Sequence, residues 1–259
     1  MPKVHRKFSI LRKLELEAGY FLLDLSPVEG VLPEDIQPGQ FVEISVPDHS
    51  KLLRRPISIH FADYKSNILR LLIRVVGEGT KAVCSMSEGD SLDIILPLGK
   101  GFSTEFKSGD RVILVGGGVG VAPLLYQAAL LKDLGVDVRM VYGARNSHEL
   151  VVAEAFKDYA ELEITTDDGS CGTPGRVTDS LCFATMLESA SMVQCCGPAP
   201  MMKAVAAVCR DKGTPCEVSL ENMMACGLGA CLCCVEKTVK GNVCVCTEGP
   251  VFNIDQLTW

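Results

Sequence analysis

The last segment of the chain, Glu221 to Trp259, carries six of the thirteen cysteines and almost no helical periodicity. Such a segment has no apolar stripe to bury, so it must be organised by something its thiols hold. Three of them stand in the spacing Cys226-x4-Cys231-x2-Cys234, and Cys246 follows after eleven more residues. C-x4-C-x2-C with a distant fourth cysteine is the front spacing of plant-type [2Fe–2S] ligation. Four thiolates must converge on a small rhomb while the loop wraps closely, and Gly227 and Gly229 permit that wrap. Backbone N–H groups turned inward would also stabilise the more negative reduced cluster. Zinc fits less well, because a ribbon needs two C-x2-C knuckles and Cys244-x1-Cys246 is too tight for the second. Cys233 cannot easily share an iron with its neighbour Cys234. On spacing alone, the fourth ligand remains open between Cys244 and Cys246.

A disulfide scheme is disfavoured on two grounds. Thirteen cysteines leave one unpaired, and the chain reads as cytoplasmic, where thiols stay reduced. Its basic start, Met1-Pro2-Lys3-Val4-His5-Arg6-Lys7, leads into no apolar core of signal-peptide length. No run of about 18 uncharged apolar residues suggests a membrane span. The net charge of −7 argues against a nucleic-acid partner, which calls for a basic face. The hydrophobic fraction of 47% is ample for cores in two compact domains.

The first hundred residues read as a small antiparallel barrel. β-rich runs such as Phe41 to Val46 and Leu69 to Val76 alternate with turn signals at Pro38-Gly39, Pro47-Asp48, Gly77 and Glu88-Gly89-Asp90. From Asp110 the rhythm changes. Strands are expected at Arg111 to Val115, Val136 to Tyr142, Leu162 to Thr166, Met192 to Cys196 and Cys216 to Leu220. Helices are expected at Ala122 to Leu134, His148 to Tyr159 and Pro198 to Lys212. That alternation is the pattern of a parallel sheet covered by helices. The division expected is 1–104 for the barrel, 105–215 for the α/β domain and 216–259 for the cysteine lobe.

Three short stretches suggest phosphate or cofactor contacts. Gly116-Gly117-Gly118-Val119-Gly120-Val121-Ala122-Pro123 joins a strand to a helix, where free N–H groups and the helix dipole favour a pyrophosphate, although no G-x-G-x-x-G register fits. Arg55-Pro56-Ile57-Ser58 pairs a cation with a rigid proline and a short hydroxyl, and Arg54 is the ambiguous member of its pair. Gly79-Thr80 opens a helix-like run. As bare motifs, each of the last two is better read as a plain turn.

Taken in chain order, Arg55 to Ser58, then Gly79-Thr80, then Gly116 to Pro123 and last Cys196-Gly197-Pro198, the stretches resemble the ferredoxin reductase superfamily over residues 5 to 215. The resemblance implies a barrel that binds FAD through Arg55, Pro56, Ile57 and Ser58, lined by Leu72, Ile73 and Arg74, with Gly79 and Thr80 on the pyrophosphate. It implies a domain that binds nicotinamide nucleotide at Gly116, Gly117, Gly118 and Gly120, with Cys196 near the ring; a buried apolar thiol is the other reading of Cys196. Arg145 is accompanied by Glu149, Asp167 and Asp168 near the second and third strands, a mixture that favours NAD over NADP.

The closing run Cys246-Thr247-Glu248-Gly249-Pro250-Val251-Phe252 is similar to that of the electron-transfer subunits of dihydroorotate dehydrogenase B. This extends the resemblance over nearly the whole chain and makes Cys246 the fourth ligand beside Cys226, Cys231 and Cys234. It further implies a partner, an FMN-containing dihydroorotate dehydrogenase catalytic subunit, in a heterotetramer of two copies of each. Electrons would pass from that partner through the [2Fe–2S] cluster and FAD to NAD+ in pyrimidine biosynthesis. Leu228 and Leu232 on the cluster loop are candidates for the docking surface. Small subunits of NADH-dependent ferredoxin:NADP and sulfide oxidoreductases share the architecture, but their cluster loop begins with an aspartate and continues as Cys-Gly-x-Cys-Arg. A flavin-free redox module using the cysteines as a switch is the alternative from a different class. Cys84, Cys171, Cys182, Cys195, Cys209 and Cys216 read as ordinary thiols.

Overall fold

The computed structural model describes residues 3–47 and 51–259; Met1, Pro2 and Asp48, the second half of the Pro47-Asp48 turn signal, lie outside them. The first strands are β1 (Val4–Glu15), β2 (Tyr20–Pro27), β3 (Phe41–Ile44), β4 (Arg55–Asp63) and β5 (Ile68–Arg74). The short helix α1 (Glu78–Cys84) then leads to β6 (Ser91–Leu98). The six strands close into an antiparallel barrel in the order β1-β2-β5-β4-β3-β6. Alternate residues such as Phe8, Leu23, Val42, Ile44, Leu71 and Ile94 fill its interior, as the period of two in a strand requires.

The second layer system begins with β7 (Arg111–Gly117), α2 (Leu124–Asp133), β8 (Asp137–Ala144), α3 (Ala153–Phe156) and β9 (Glu161–Thr166). It continues through β10 (Thr173–Pro174), α4 (Leu181–Met186), β11 (Met192–Cys196), α5 (Ala199–Lys212) and β12 (Cys216–Ser219). These strands form a parallel sheet in the order β10-β9-β8-β7-β11-β12. The chain steps outward from β7 to β10, then returns to the other side of β7 with β11. That reversal opens a crevice at the carboxyl ends of β7 and β11, where ligands bind in open α/β sheets.

The tail supplies the hairpin β13 (Val235–Thr238) and β14 (Gly241–Cys244), the single turn α6 (Val245–Glu248) and β15 (Val251–Asn253). β15 pairs antiparallel with β12 as the seventh strand of the sheet. Cys216–Ser219, placed by the sequence at the head of the third unit, is hydrogen-bonded into the sheet beside β11. The sheet therefore runs past residue 215. One core joins Val193, Cys195 and Val218 of the sheet to Phe41 and Leu98 of the barrel and to Cys234, Val245 and Cys246 of the tail. The lobe thus covers the outer face of β3.

The helix expected over His148 to Tyr159 is largely absent, reduced to a 3-10 turn at Ser147–Glu149 and the four residues of α3. Val151 and Val152 disfavour helix through their branched side chains, and Val152 sits at φ −125°, ψ 17°. Tyr142 also donates its hydroxyl to the Glu149 carbonyl at 3.1 Å, taking an acceptor a longer helix would use. The helix expected from Ala122 begins at Leu124, after a 3-10 turn over Gly118–Val121.

Candidate functional site

The crevice at the sheet reversal holds a cavity of about 560 Å³ lined by Gly117, Gly118, Arg145, Arg176, Pro198 and Met201, with Arg74 reaching in from the barrel. The four loop glycines have different jobs. Gly117 and Gly118 line the space, and Gly118 adopts φ +54°, which suits a residue without a Cβ. Gly116 and Gly120 shape the turn instead: a Cβ on Gly116 would lie 2.5 Å from Val121, and one on Gly120 would lie 2.4 Å from the Cys196 carbonyl oxygen. The Cys196 thiol is buried, is pushed well above the usual thiol range by that burial, and does not line the cavity. Its contribution here is the backbone carbonyl against which Gly120 turns.

Arg74 ties the barrel to this crevice. Its guanidinium lies over the Tyr20 ring, 5.3 Å from the centroid, and donates to Glu149 Oε1 at 3.2 Å. Arg145 ion-pairs with the same carboxylate. Burial works against its ionisation, yet the two arginines hold the Glu149 carboxyl below its usual range. The Tyr20 hydroxyl is buried without a partner among the described residues, and a Cβ on Gly118 would lie 3.7 Å from it.

The motif residues of the barrel meet at the same end. The Arg55 guanidinium occupies the space above Gly79, where a Cβ would lie 2.2 Å from its Nε, and it donates to the Leu53 carbonyl at 2.6 Å. Thr80 Oγ1 accepts from the N–H groups of Val76 at 3.0 Å and Gly77 at 3.3 Å, and donates to the Gly77 carbonyl at 3.0 Å. That uses its full hydroxyl capacity in holding the turn, so its backbone N–H is what remains for a ligand. Pro56 and Ser58 stand opposite Glu43 and Phe41 on the outer face of the barrel. The Ile57 side chain packs against the barrel interior. Of the β5 run, Ile73 is buried inside the barrel, Leu72 packs outside it in the core of the α/β domain, and Arg74 at the strand end reaches the crevice. Arg54 pairs with Asp93 and donates to the Glu43 carbonyl at 3.3 Å, a structural use.

The cysteine loop folds so that N–H groups point at sulfur. Leu228 donates to Cys226 Sγ at 3.3 Å, Gly229 to Cys246 Sγ at 3.2 Å, and Cys246 to Cys234 Sγ at 3.4 Å. Burial opposes ionisation of Cys226, but the surrounding N–H groups and the Cys231 thiol draw it down to about 6. Burial and the adjacent Cys234 sulfur push Cys246 up to about 12; a coordinated iron would reverse this, since a cation removes the proton of a ligating thiol. Among the described residues, no three acidic, histidine or cysteine groups converge as a single metal ion would need. The thiols meet instead in two groups, Cys226 with Cys231 and Cys234 with both Cys246 and Cys244, and two ligands from each group would fit two irons. Cys244 also meets the Cys234 sulfur, but its Sγ faces the Gly229 carbonyl oxygen at 3.9 Å. Cys233 is exposed.

Nothing in the sequence singled out Glu43 or Tyr20. Each is an ordinary member of a β run, and its importance comes from a segment folded over it from far along the chain.

A barrel, a nucleotide-binding parallel sheet and a lobe of paired thiols together define an NAD-linked iron–sulfur flavoprotein oxidoreductase of the ferredoxin reductase type. Residues 114–207 match the family described as oxidoreductase NAD-binding domain, and residues 221–258 match the iron–sulfur cluster binding domain of dihydroorotate dehydrogenase B. Dihydroorotate dehydrogenase B (NAD(+)), electron transfer subunit, of Shouchella clausii is 36% identical over 99% of each chain. Its counterpart in Clostridium acetobutylicum is 41% identical over 84% of this chain and 85% of its own. A solved chain of the NADH-dependent reduced ferredoxin–NADP oxidoreductase superposes with a TM-score of 0.85 at 30% identity, covering 97% of this chain and 90% of that one. The chain belongs to the family of electron transfer subunits of dihydroorotate dehydrogenase B (NAD(+)). Among the described residues, no helix is long and apolar enough to cross a membrane.

Proposed function

We propose that this chain moves electrons between a separate FMN-containing subunit that oxidises dihydroorotate and NAD+, serving pyrimidine biosynthesis in the cytoplasm. FAD exchanges electrons in pairs with nicotinamide and one at a time with a [2Fe–2S] cluster, so the three groups convert between the two modes. In this reading Arg55 and Gly79 hold the flavin phosphates, Pro56, Ser58 and Leu72 border the flavin, and Ile57, Ile73 and the Thr80 N–H support that wall. Gly117 and Gly118 receive the nicotinamide nucleotide on the turn built by Gly116 and Gly120. Arg145, engaged by Glu149, is not free to grip a 2′-phosphate, which favours NAD. Cys226, Cys231, Cys234 and Cys246 ligate the cluster.

The observation that carries this reading is the position of the lobe: the thiol loop packs on the outer face of β3, whose partner strand β4 bears Arg55 to Ser58. One-electron and two-electron sites are therefore neighbours. Met223, Leu228 and Leu232 are exposed beside the loop and give the partner an apolar surface to dock on. A 2:2 assembly follows from the same reading. The test is reconstitution: the purified chain mixed with the FMN subunit should reduce NAD+ with dihydroorotate, and neither should do so alone. Failure of the pair to form NADH, with flavin present in both and iron in this chain, would overturn the proposal.

A further inference from the structure

Glu43 is a fully buried carboxylate that nothing so far employs. Its neighbours Val42 and Ile44 point into the barrel, so its side chain and that of Phe41 project outward beneath the lobe. Its backbone stands opposite Pro56 of the flavin strand. Its side chain presses on the cluster loop: a Cβ on Gly227 would lie 2.8 Å from Glu43 Cγ and 3.2 Å from Oε1. Glu43 thus joins the strand pair of the flavin wall to the segment that carries Cys226. Neither carboxylate oxygen has a hydrogen-bond partner among the described residues. The nearest arginine of that wall, Arg54, is engaged by Asp93 and offers Glu43 only a bond to its carbonyl. Burial, against the pull of Arg54, pushes its carboxyl up to about 7, so the group carries its charge above that pH, and Gly227 accommodates it by having no side chain.

We propose that Glu43 is a tuning residue for the cluster, its unneutralised charge beside Gly227 opposing the arrival of a further negative charge and so holding the cluster's reduction potential down. Net charge near the sulfurs is one of the main determinants of such potentials, and low surrounding polarity lengthens its reach. The inference rests on the Cys226 loop carrying a cluster, as proposed above.

The experiment is a redox titration of the purified holo chain at about pH 8.5, where a carboxyl is ionised even when burial has raised it, followed by the electron paramagnetic resonance signal of the reduced cluster, with iron content measured in parallel. Glu43→Gln keeps the volume and removes the charge, while Glu43→Asp keeps the charge. The expected result is a shift to less negative potential in Glu43→Gln, a smaller shift in Glu43→Asp, and an unchanged flavin-to-protein ratio in both. Equal potentials in all three chains, or equal shifts in both variants, would overturn the proposal. Should Glu43→Gln assemble no cluster, a Glu43→Asp chain with wild-type iron and near wild-type potential supports it; loss of iron there too assigns Glu43 to packing and overturns it. A wild-type chain without a cluster signal would instead defeat the ligand assignment, a distinguishable failure.

Discussion

At the scale of single residues, the sulfur environments separate the two candidates for fourth ligand. Cys246 Sγ receives an N–H from Gly229, whereas Cys244 Sγ faces a carbonyl oxygen of the same residue. An N–H donor suits a thiolate and a carbonyl suits a protonated thiol. Cys246→Ser is therefore expected to lose most of its bound iron and Cys244→Ser to keep it, as read by iron and sulfide analysis; the reverse pattern would reassign the ligand. His60 makes a different prediction. It is buried, donates through Nδ1 to the Ala122 carbonyl at 2.7 Å, and is held down to about 4 chiefly by that burial. Its unfolded value is near 6.5, so the folded state keeps it neutral while the unfolded state takes up a proton. This part of the stability is present above about pH 6.5 and is lost as pH falls towards 4, amounting to roughly 3 kcal/mol at full extent. Urea unfolding at pH 7.5 and 4.5 should show a smaller loss of stability in His60→Gln than in the parent, by roughly 2 kcal/mol. Identical losses would discount His60.

At the scale of elements, the turn after β7 depends on contact between two backbones. Gly120 lets the loop rest on the Cys196 carbonyl, which an alanine Cβ would approach to 2.4 Å. Gly120→Ala should raise the KM for NADH by about tenfold or more while leaving the flavin content unchanged; an unaltered KM would show that the turn tolerates displacement. The strands of the sheet were legible because each is a short apolar run with a turn signal behind it, and Met192 to Cys196 coincides with β11. The shortness of α3 was not, because the 3.6-residue pattern from His148 onward says nothing of the Tyr142 hydroxyl that captures the Glu149 carbonyl. In Phe41-Val42-Glu43-Ile44, the alternation places Glu43 on the outer face, where a charge is ordinarily solvated. Only the lobe folded across that face buries it. The cysteine spacing singles out Cys226, Cys231 and Cys234 as candidates because ligand geometry is local there, whereas β15 completes a sheet begun far upstream and leaves no local trace.

At the scale of the molecule, the barrel is latched to the sheet by a buried polar chain. Glu217 Oε2 accepts from the Ser103 N–H at 3.0 Å and from Gln194 Nε2 at 3.0 Å, and Gln127 Nε2 donates to Gln194 Oε1 at 2.8 Å. Glu217→Ala would leave the Ser103 N–H unpaired and Gln194 Nε2 with only its bond to the Ser103 carbonyl at 2.9 Å, costing about 2–4 kcal/mol in chemical denaturation; a cost below about 0.5 kcal/mol, the level of an ordinary surface change, would show the latch to be dispensable. The cysteine lobe is fastened differently. The chain leaves the sheet after β12 and comes back as β15 beside it, with the Leu220 N–H donating to the Pro250 carbonyl at 2.9 Å. It is an arch with both feet on one wall. Cutting its crown, at the exposed Lys240 in the β13–β14 turn, should leave two peptides that migrate as one intact mass in native conditions and part only in denaturant. Span, and with it the separation of the redox sites, would outlast the broken bond.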